Sequence, residues 1–194
     1  RFTPNTRFEY SNTNYAFLAR IVEEVSQMSF SRFMKTYIFE PLGMKNTFVY
    51  DPLEPMPSTR AISYKSNWTI DGDMFADGVY GDKGIYSTVQ DMYKWDQSFY
   101  NNILLNPKML NMAYSPQSFE TRGTRNYGPG WRMINDNNYK VIFHNGWWHG
   151  NNTVFYRFIK DNFTIIILGN RYNKGIYGHV KPIYEIVTRH EEDL

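Results

Sequence analysis

The sequence predicts an α+β fold in which a helical subdomain is followed by an antiparallel sheet covered by a C-terminal helix. Three observations predict it. Apolar residues recur at helical spacing from Thr13 to Val25 and again from Thr88 to Phe99. From Tyr127 onward the pattern changes to short apolar stretches separated by turns rich in Asn and Asp. The last stretch, Gly175 to His190, returns to helical spacing, which places a helix over one face of the sheet.

In the first helix Tyr15, Phe17, Leu18, Ile21, Val22 and Val25 are the apolar positions. Ser11, Asn12 and Thr13 are available as N-caps, because a short oxygen-bearing side chain satisfies amides that the first turn leaves unpaired. Phe30, Phe33, Met34, Tyr37 and Ile38 form a second stripe, which Pro41 and Gly43 end. Between Asp51 and Gly84 the chain is rich in Pro, Gly, Asp and Ser and reads as a long irregular excursion, a kind of loop that is usually functional or mobile. Ser87 is expected to cap a helix over Thr88–Phe99, with Gln90 at the capping-box position and Val89, Met92, Tyr93 and Trp95 as its apolar members. Asn106-Pro107 opens another helix, since proline is tolerated where the first turn has no use for an N–H.

Strands are expected at Gly130–Ile134, Tyr139–His144, Asn152–Ile159 and Phe163–Leu168, with turns at Asn135–Asn138 and Asp161-Asn162, forming an antiparallel meander. Ile176, Val180, Ile183, Tyr184 and Val187 mark the final helix, with Pro182 weakening its first turns. The chain thus divides into a mainly helical region, 1–126, and a strand region with its covering helix, 127–194, both parts of one larger domain.

Composition excludes several classes of function. The chain has 194 residues, a formal net charge of +2, 42% hydrophobic residues, 18% aromatic and 21% charged, which fits neither a disordered tail nor a polyelectrolyte. Lys and Arg are interspersed with acids, so there is no basic track for nucleic acid. The absence of cysteine removes disulfide scaffolds, thiol nucleophiles and thiolate zinc sites together. The longest strongly apolar run, Ile165 to Leu168, is far short of the ~20 residues that span a bilayer. The chain opens on Arg1 rather than Met, so it is expected to be a piece of a longer protein.

Without cysteine, nucleophilic chemistry falls to Ser, Thr, Lys, Tyr or a carboxylate, and two phrases suit acyl transfer. In Tyr10-Ser11-Asn12, a tyrosine at the mouth of a helix acts as a base if cations lower its phenol pKa, and the Asn12 amide binds a carbonyl. The plain alternative is an N-cap beside a packed ring. In His144-Asn145-Gly146-Trp147, at a strand end, glycine allows close approach and the Trp147 N–H is a possible oxyanion donor, while His144 orients or polarises the base. The alternative here is a histidine satisfied by a backbone carbonyl. A metal reading would pair His144 with His149, but an odd separation on a strand puts them on opposite faces and no acid stands at ligand spacing. No metal and no cofactor is therefore expected. Gly81-Asp82-Lys83-Gly84 lacks the pattern of a phosphate loop and reads as a turn. Trp147 and Trp148 have the surfaces to stack on sugars, against core and rim packing as the ordinary use of such rings.

Taken in order, "YSNTNYAFLARIVEEVS", "IFEPLGMKNTFV", "GDKGIYSTVQDMYKWD", "YGPGW" and "FHNGWWHGNNTVFYRF" followed by "IIILGNR" resemble the serine β-lactamase-like family of class C β-lactamases, DD-peptidases and related esterases. The resemblance covers essentially the whole chain and implies an incomplete β-lactamase/transpeptidase-like fold. In that family a Ser-x-x-Lys, a Tyr-x-Asn loop and a Lys/His-x-Gly strand make the site. The resemblance gives Tyr10 the role of base or proton relay and Asn12 that of contact to the substrate amide. It gives His144 and Gly146 the third motif, and the Trp147 N–H the strand half of the oxyanion hole. Asn145 stands where Thr is commoner and His144 where Lys is, departures that weigh against strong β-lactamase activity.

One motif is absent. Of the serines at 11, 26, 29, 31, 58, 63, 66, 87, 98, 115 and 118, none has Lys three residues later; Ser31 with Lys35 and Ser63 with Lys65 miss by one. A serine without a base in reach is not activated. The expectation is therefore a C-terminal portion of a serine hydrolase, inactive alone and acting in its parent through an acyl-enzyme on a D-Ala-D-Ala-type peptide, a β-lactam or a small ester. Its expected partners are the substrate and either the missing N-terminal segment or a partner strand, covering the apolar edge Thr164 to Leu168. The alternative is a non-catalytic domain that binds cell-wall peptide or sugar on the same fold. Membership would also imply an extracytoplasmic place, in a bacterial periplasm or at the cell surface.

Overall fold

The computed structural model describes residues 2–3, 6–118, 125–135 and 140–192. The chain forms two compact units, each made of non-consecutive pieces. A helical unit comprises Glu9–Ile62 and Gly72–Asn106; a sheet unit comprises Arg1–Phe8, Ser63–Asp71 and Pro107–Leu194. The sequence reading divides the chain once, at 126/127; the compact units interleave along it.

In the helical unit, α1 (Asn12–Ser26) begins at Ser11, whose extended backbone lets its hydroxyl accept the Asn14 N–H at 3.4 Å. Ala19 is buried and Val22 packs on the core, but Phe17, Leu18, Ile21 and Val25 of the apolar stripe are exposed, Val25 to 81%. Helix α2 (Phe30–Met34), capped by Ser29, runs on into a π-helical turn, Lys35–Phe39, which the Glu40 N–H closes on the Lys35 carbonyl at 2.9 Å before Pro41. Two short strands, β1 (Phe48–Val49) and β2 (Ile85–Tyr86), pair antiparallel. Helix α3 (Val89–Tyr100) follows.

The cap of α3 is Thr88 rather than Ser87. Thr88 is the last residue with extended backbone, so its hydroxyl is the one that reaches the Asp91 N–H, at 3.2 Å. Ser87 instead hydrogen-bonds Thr47 at 2.8 Å, and Asp91, not Gln90, is the third residue of the helix. Ala19, Phe30, Phe39, Met44 and Val49 form the core of this unit.

In the sheet unit α4 (Pro107–Ala113) precedes five strands: β3 (Arg125–Tyr127), β4 (Arg132–Asn135), β5 (Lys140–Trp148), β6 (Asn151–Phe158) and β7 (Phe163–Gly169). They pair antiparallel in the order β3-β4-β5-β6-β7, so among the described residues β7 ends the sheet. The meander is as expected, with β3 added; positions 136–139, which include most of the expected Asn135–Asn138 turn, lie outside the described residues. On one face Val141, Phe143, Val154, Phe158 and Ile165 pack against Ile176 and Val180. On the other, Met133 and Ile142 pack against Ala113 and Tyr114.

The expected helix from Gly175 begins as a 3-10 turn, Lys174–His179, and becomes α5 (Val180–Glu192) five residues later than its apolar spacing suggests. Starting at Val180 puts Pro182 in the first turn, where the missing N–H costs nothing.

The middle of the irregular excursion belongs to the sheet unit. Ser63–Asp71 folds back on itself, with Lys65 N–H on the Thr69 carbonyl and Asp71 N–H on the Ser63 carbonyl, both at 2.8 Å. Tyr64 joins it to the chain beyond β7, donating to the Asn170 carbonyl at 2.8 Å and accepting from the Tyr172 N–H at 2.9 Å. Among the described residues no helix is long and apolar enough to cross a membrane.

Candidate active site

The first candidate phrase is built by the start of α1. Tyr10 is 43% exposed, just before the cap; Ser11 spends its hydroxyl on the Asn14 N–H; Asn12 is the first helical residue and is exposed. Capping thus accounts for Ser11 and leaves the phenol of Tyr10 and the amide of Asn12 on the outside of the helix mouth. These residues belong to the helical unit, and the four of the second phrase to the sheet unit.

The second phrase does not sit at a strand end. Strand β5 continues to Trp148, with His144↔Phe155, Asn145↔Val154, Gly146↔Thr153, Trp147↔Asn152 and Trp148↔Asn151 paired without a break. Gly146, which reads as a terminator, is a close-approach position: a Cβ there would run into the Thr153 hydroxyl across the ladder. His149 lies beyond the strand, in a left-handed turn conformation with φ 52°, its Nδ1 3.7 Å from an Asp71 carboxylate oxygen.

Alternation of the ladder fixes where the backbone groups aim. Ile159 N–H bonds the Lys140 carbonyl, so even-numbered residues of β5 exchange hydrogen bonds with β6 and odd-numbered ones turn the other way. The ladder to β4 ends at Arg132↔Phe143, so the Trp147 N–H points to the flank of β5 that β4 does not reach. A buried relay holds that peptide in place. Tyr177 hydroxyl donates to the Gly146 carbonyl at 2.9 Å and accepts from Asn152 Nδ2 at 2.9 Å, while Asn152 Oδ1 accepts the Asn173 N–H at 2.7 Å. Asn152 has no accessible surface. A trans peptide points its C=O and N–H in opposite directions, so pinning the Gly146 carbonyl also aims the Trp147 N–H.

The side chains separate by face. His144 and Gly146 lie on the face of Ile142, Asn145 and Trp147 on that of Val141 and Phe143. Asn145 Nδ2 is 3.5 Å from the Tyr156 hydroxyl, and its Oδ1 is buried without a hydrogen bond. The Trp147 ring is 59% exposed, 5.6 Å from the Tyr172 ring, with Lys174 Nζ 5.3 Å from its centroid.

His144 is held on both ring nitrogens. Nδ1 lies 2.8 Å from the Asn145 carbonyl and Nε2 3.2 Å from the Tyr127 hydroxyl. The carbonyl alternative raised by the sequence is therefore real, but it occupies only one nitrogen. Tyr127, Asn152 and Tyr177 escape the sequence reading of the site. Tyr127 carries a local signal, as the first residue of Tyr-Gly-Pro-Gly-Trp; Tyr177 and Asn152 sit 31 and 6 positions from Gly146 and Gly146's relay is visible only once β6 and the 3-10 turn are in place.

The chain has known relatives in sequence and in fold. The Beta-lactamase family model matches residues 1–183. The chain is similar to penicillin-binding protein 4* of Bacillus subtilis (strain 168), 31% identical over 187 residues that make up 88% of this chain and 41% of that protein. In fold it is similar to a penicillin-binding protein from Bacillus halodurans, with a TM-score of 0.82 at 20% identity over 95% of this chain and 58% of the other. It is also similar to the D-amino acid amidase from Ochrobactrum anthropi SV3 crystallised with L-phenylalanine amide, with a TM-score of 0.81 at 21% identity over 98% and 60%. The chain thus spans less than two thirds of each of these proteins.

Proposed function

Because the chain belongs to the Beta-lactamase family, we propose that it supplies two of the three motifs of a serine acyl hydrolase, working through a covalent acyl-enzyme on a D-Ala-D-Ala-type peptide, a β-lactam or a small ester. The observation that carries this reading is the pinned Gly146–Trp147 peptide, whose N–H is aimed to the flank of β5 left open by β4. A preorganised N–H of that kind stabilises the charge that develops on a carbonyl oxygen during acyl transfer. In this reading Tyr10 moves protons, Asn12 and Asn145 contact substrate, His144 sets the local field and Gly146 lets substrate approach the strand.

The nucleophile is proposed to come from a Ser-x-x-Lys outside these residues, since no serine here has Lys three positions later. Two further features support additional polypeptide: the exposed Phe17, Leu18, Ile21 and Val25 on α1, and the terminal position of β7. Family membership also leads us to place the protein outside the cytoplasm, which fractionation of tagged cells checks.

The test is covalent labelling of the full-length protein with a fluorescent penicillin and an activated phosphonate ester, with and without Tyr10→Phe. Labelling that Tyr10→Phe slows about a hundredfold or more supports the enzyme. No labelling by either probe favours a non-catalytic domain for cell-wall peptide or sugar, the reading that the missing Ser-x-x-Lys would then support. The 194 residues alone are expected to form no adduct.

A further inference from the structure

We propose that Tyr127 is a positioning residue for His144, fixing the tautomer and orientation of its imidazole; the catalytic consequence rests on the hydrolase reading above, the tautomer does not. A carbonyl oxygen only accepts, so the 2.8 Å contact to the Asn145 carbonyl requires a hydrogen on Nδ1. In the neutral ring Nε2 is then bare, and the partner it needs is a donor. The Tyr127 hydroxyl, at 3.2 Å, is that donor. When the ring is protonated Nε2 becomes a donor as well, and the same hydroxyl rotates to accept. One phenol thus serves both protonation states without the ring moving, which neither a carboxylate nor an amine at this place would do.

Tyr127 is itself immobilised, as a positioning group must be. It is 6% exposed. Its carbonyl accepts from Gln117 and Ser118 N–H groups at 2.9 and 3.0 Å, and its own N–H donates to the Ser118 carbonyl at 2.9 Å. Its ring lies 5.1 Å from that of Phe8, and the Arg132 guanidinium carbon 5.6 Å from its centroid. The phenol therefore reaches His144 from β3, which is joined to β5 through β4 and is tied on its other side to Gln117 and Ser118. The imidazole meets it edge to face, with centroids 6.1 Å apart.

Three measurements test the assignment. In the unsubstituted protein, ring-nitrogen spectra at a pH where His144 is neutral should show the hydrogen on Nδ1 and a hydrogen-bonded, unprotonated Nε2, and a slowly exchanging Tyr127 hydroxyl proton should correlate with the His144 ring. In Tyr127→Phe, which keeps the ring against Phe8, the Nε2 resonance should move toward its unbonded position. In the full-length protein Tyr127→Phe should slow acylation at saturating penicillin about ten- to a hundredfold, with the half-saturating concentration changed less than about twofold. On a His144→Gln background the same substitution should slow nothing further.

An unprotonated Nδ1, or His144 ring signals indifferent to Tyr127→Phe, overturns the proposal. So does a Tyr127→Phe effect of equal size with and without His144, which would mark a merely structural tyrosine. A full-length protein that no acylating probe labels would sink the hydrolase reading instead, and the ring spectra would still decide this one.

Discussion

Asp91 has no accessible surface, yet its carboxylate accepts from Asn46 N–H at 2.7 Å, from the Thr47 hydroxyl at 3.0 Å and from Lys94 at 2.7 Å. Burial pushes this carboxyl up, but the bonds from Lys94, Asn46 and Thr47 outweigh it and hold it below its ordinary value. Glu23 follows the same pattern: burial raises it, and bonds from Tyr80, the Phe30 N–H and Arg20 bring it below the usual range. A group whose folded pKa is depressed contributes stability that is complete above its unfolded value, about 4, and is lost as pH falls through the folded value. The helical unit should therefore lose stability below about pH 4 in urea melts. Asp91→Asn should cost about 3 kcal/mol at pH 7, because it leaves Lys94 and the Asn46 N–H facing a poorer partner, and should flatten that acid limb. Tyr80 shows why tyrosines cannot be exchanged in the proposed mechanism: its hydrogen bond to Glu23, with burial, pushes its phenol up to about 12, the wrong direction for a base. Tyr10 and Asn12 stood out as candidates because they lie within one short phrase; Asp91 did not, because two of its partners, Thr47 and Asn46, stand 44 and 45 positions away.

At the scale of elements, alternation and turn composition were enough to locate four strands, since a half-buried strand writes its period into the sequence. They could not say that β5 runs on through Gly146, because that depends on Thr153 of β6. Gly146→Ala should accordingly destabilise the chain by about 1–3 kcal/mol, and adding Thr153→Ala, which removes the oxygen in the way, should recover most of it in denaturant melts. The apolar stripe of α1 was legible as a helix but not as a half-open one, since spacing identifies an apolar face without naming what covers it. The docking of Ser63–Asp71 was not legible at all. It depends on the Gly150 N–H bonding the Ser63 hydroxyl at 2.8 Å and on the absence of a Cβ that would run into the Tyr64 backbone. Gly150→Ala should release the segment, seen as faster tryptic cleavage after Lys65 with the melting of the helical unit unchanged.

At the scale of the whole molecule, the family was readable from the order of several phrases and an incomplete fold from the missing Ser-x-x-Lys, and comparison puts the chain at 41–60% of its relatives' length. Among the described residues strand β7 pairs along one side and ends the sheet, with Leu168 38% exposed. A strand at the edge of a sheet invites another chain, so the 194 residues alone should self-associate in sedimentation as concentration rises, and Leu168→Lys should suppress it. The interleaving of the two units has a consequence for synthesis. The chain passes between them at 8/9, 62/63, 71/72 and 106/107, so the last residue that these 194 contribute to the helical unit is Asn106. Arg1–Phe8 and Ser63–Asp71 must wait, without their partners, until the strands that receive them are translated. The order of emergence thus makes the sheet unit the late and aggregation-exposed one, and no single proteolytic cut can separate one unit whole from the other.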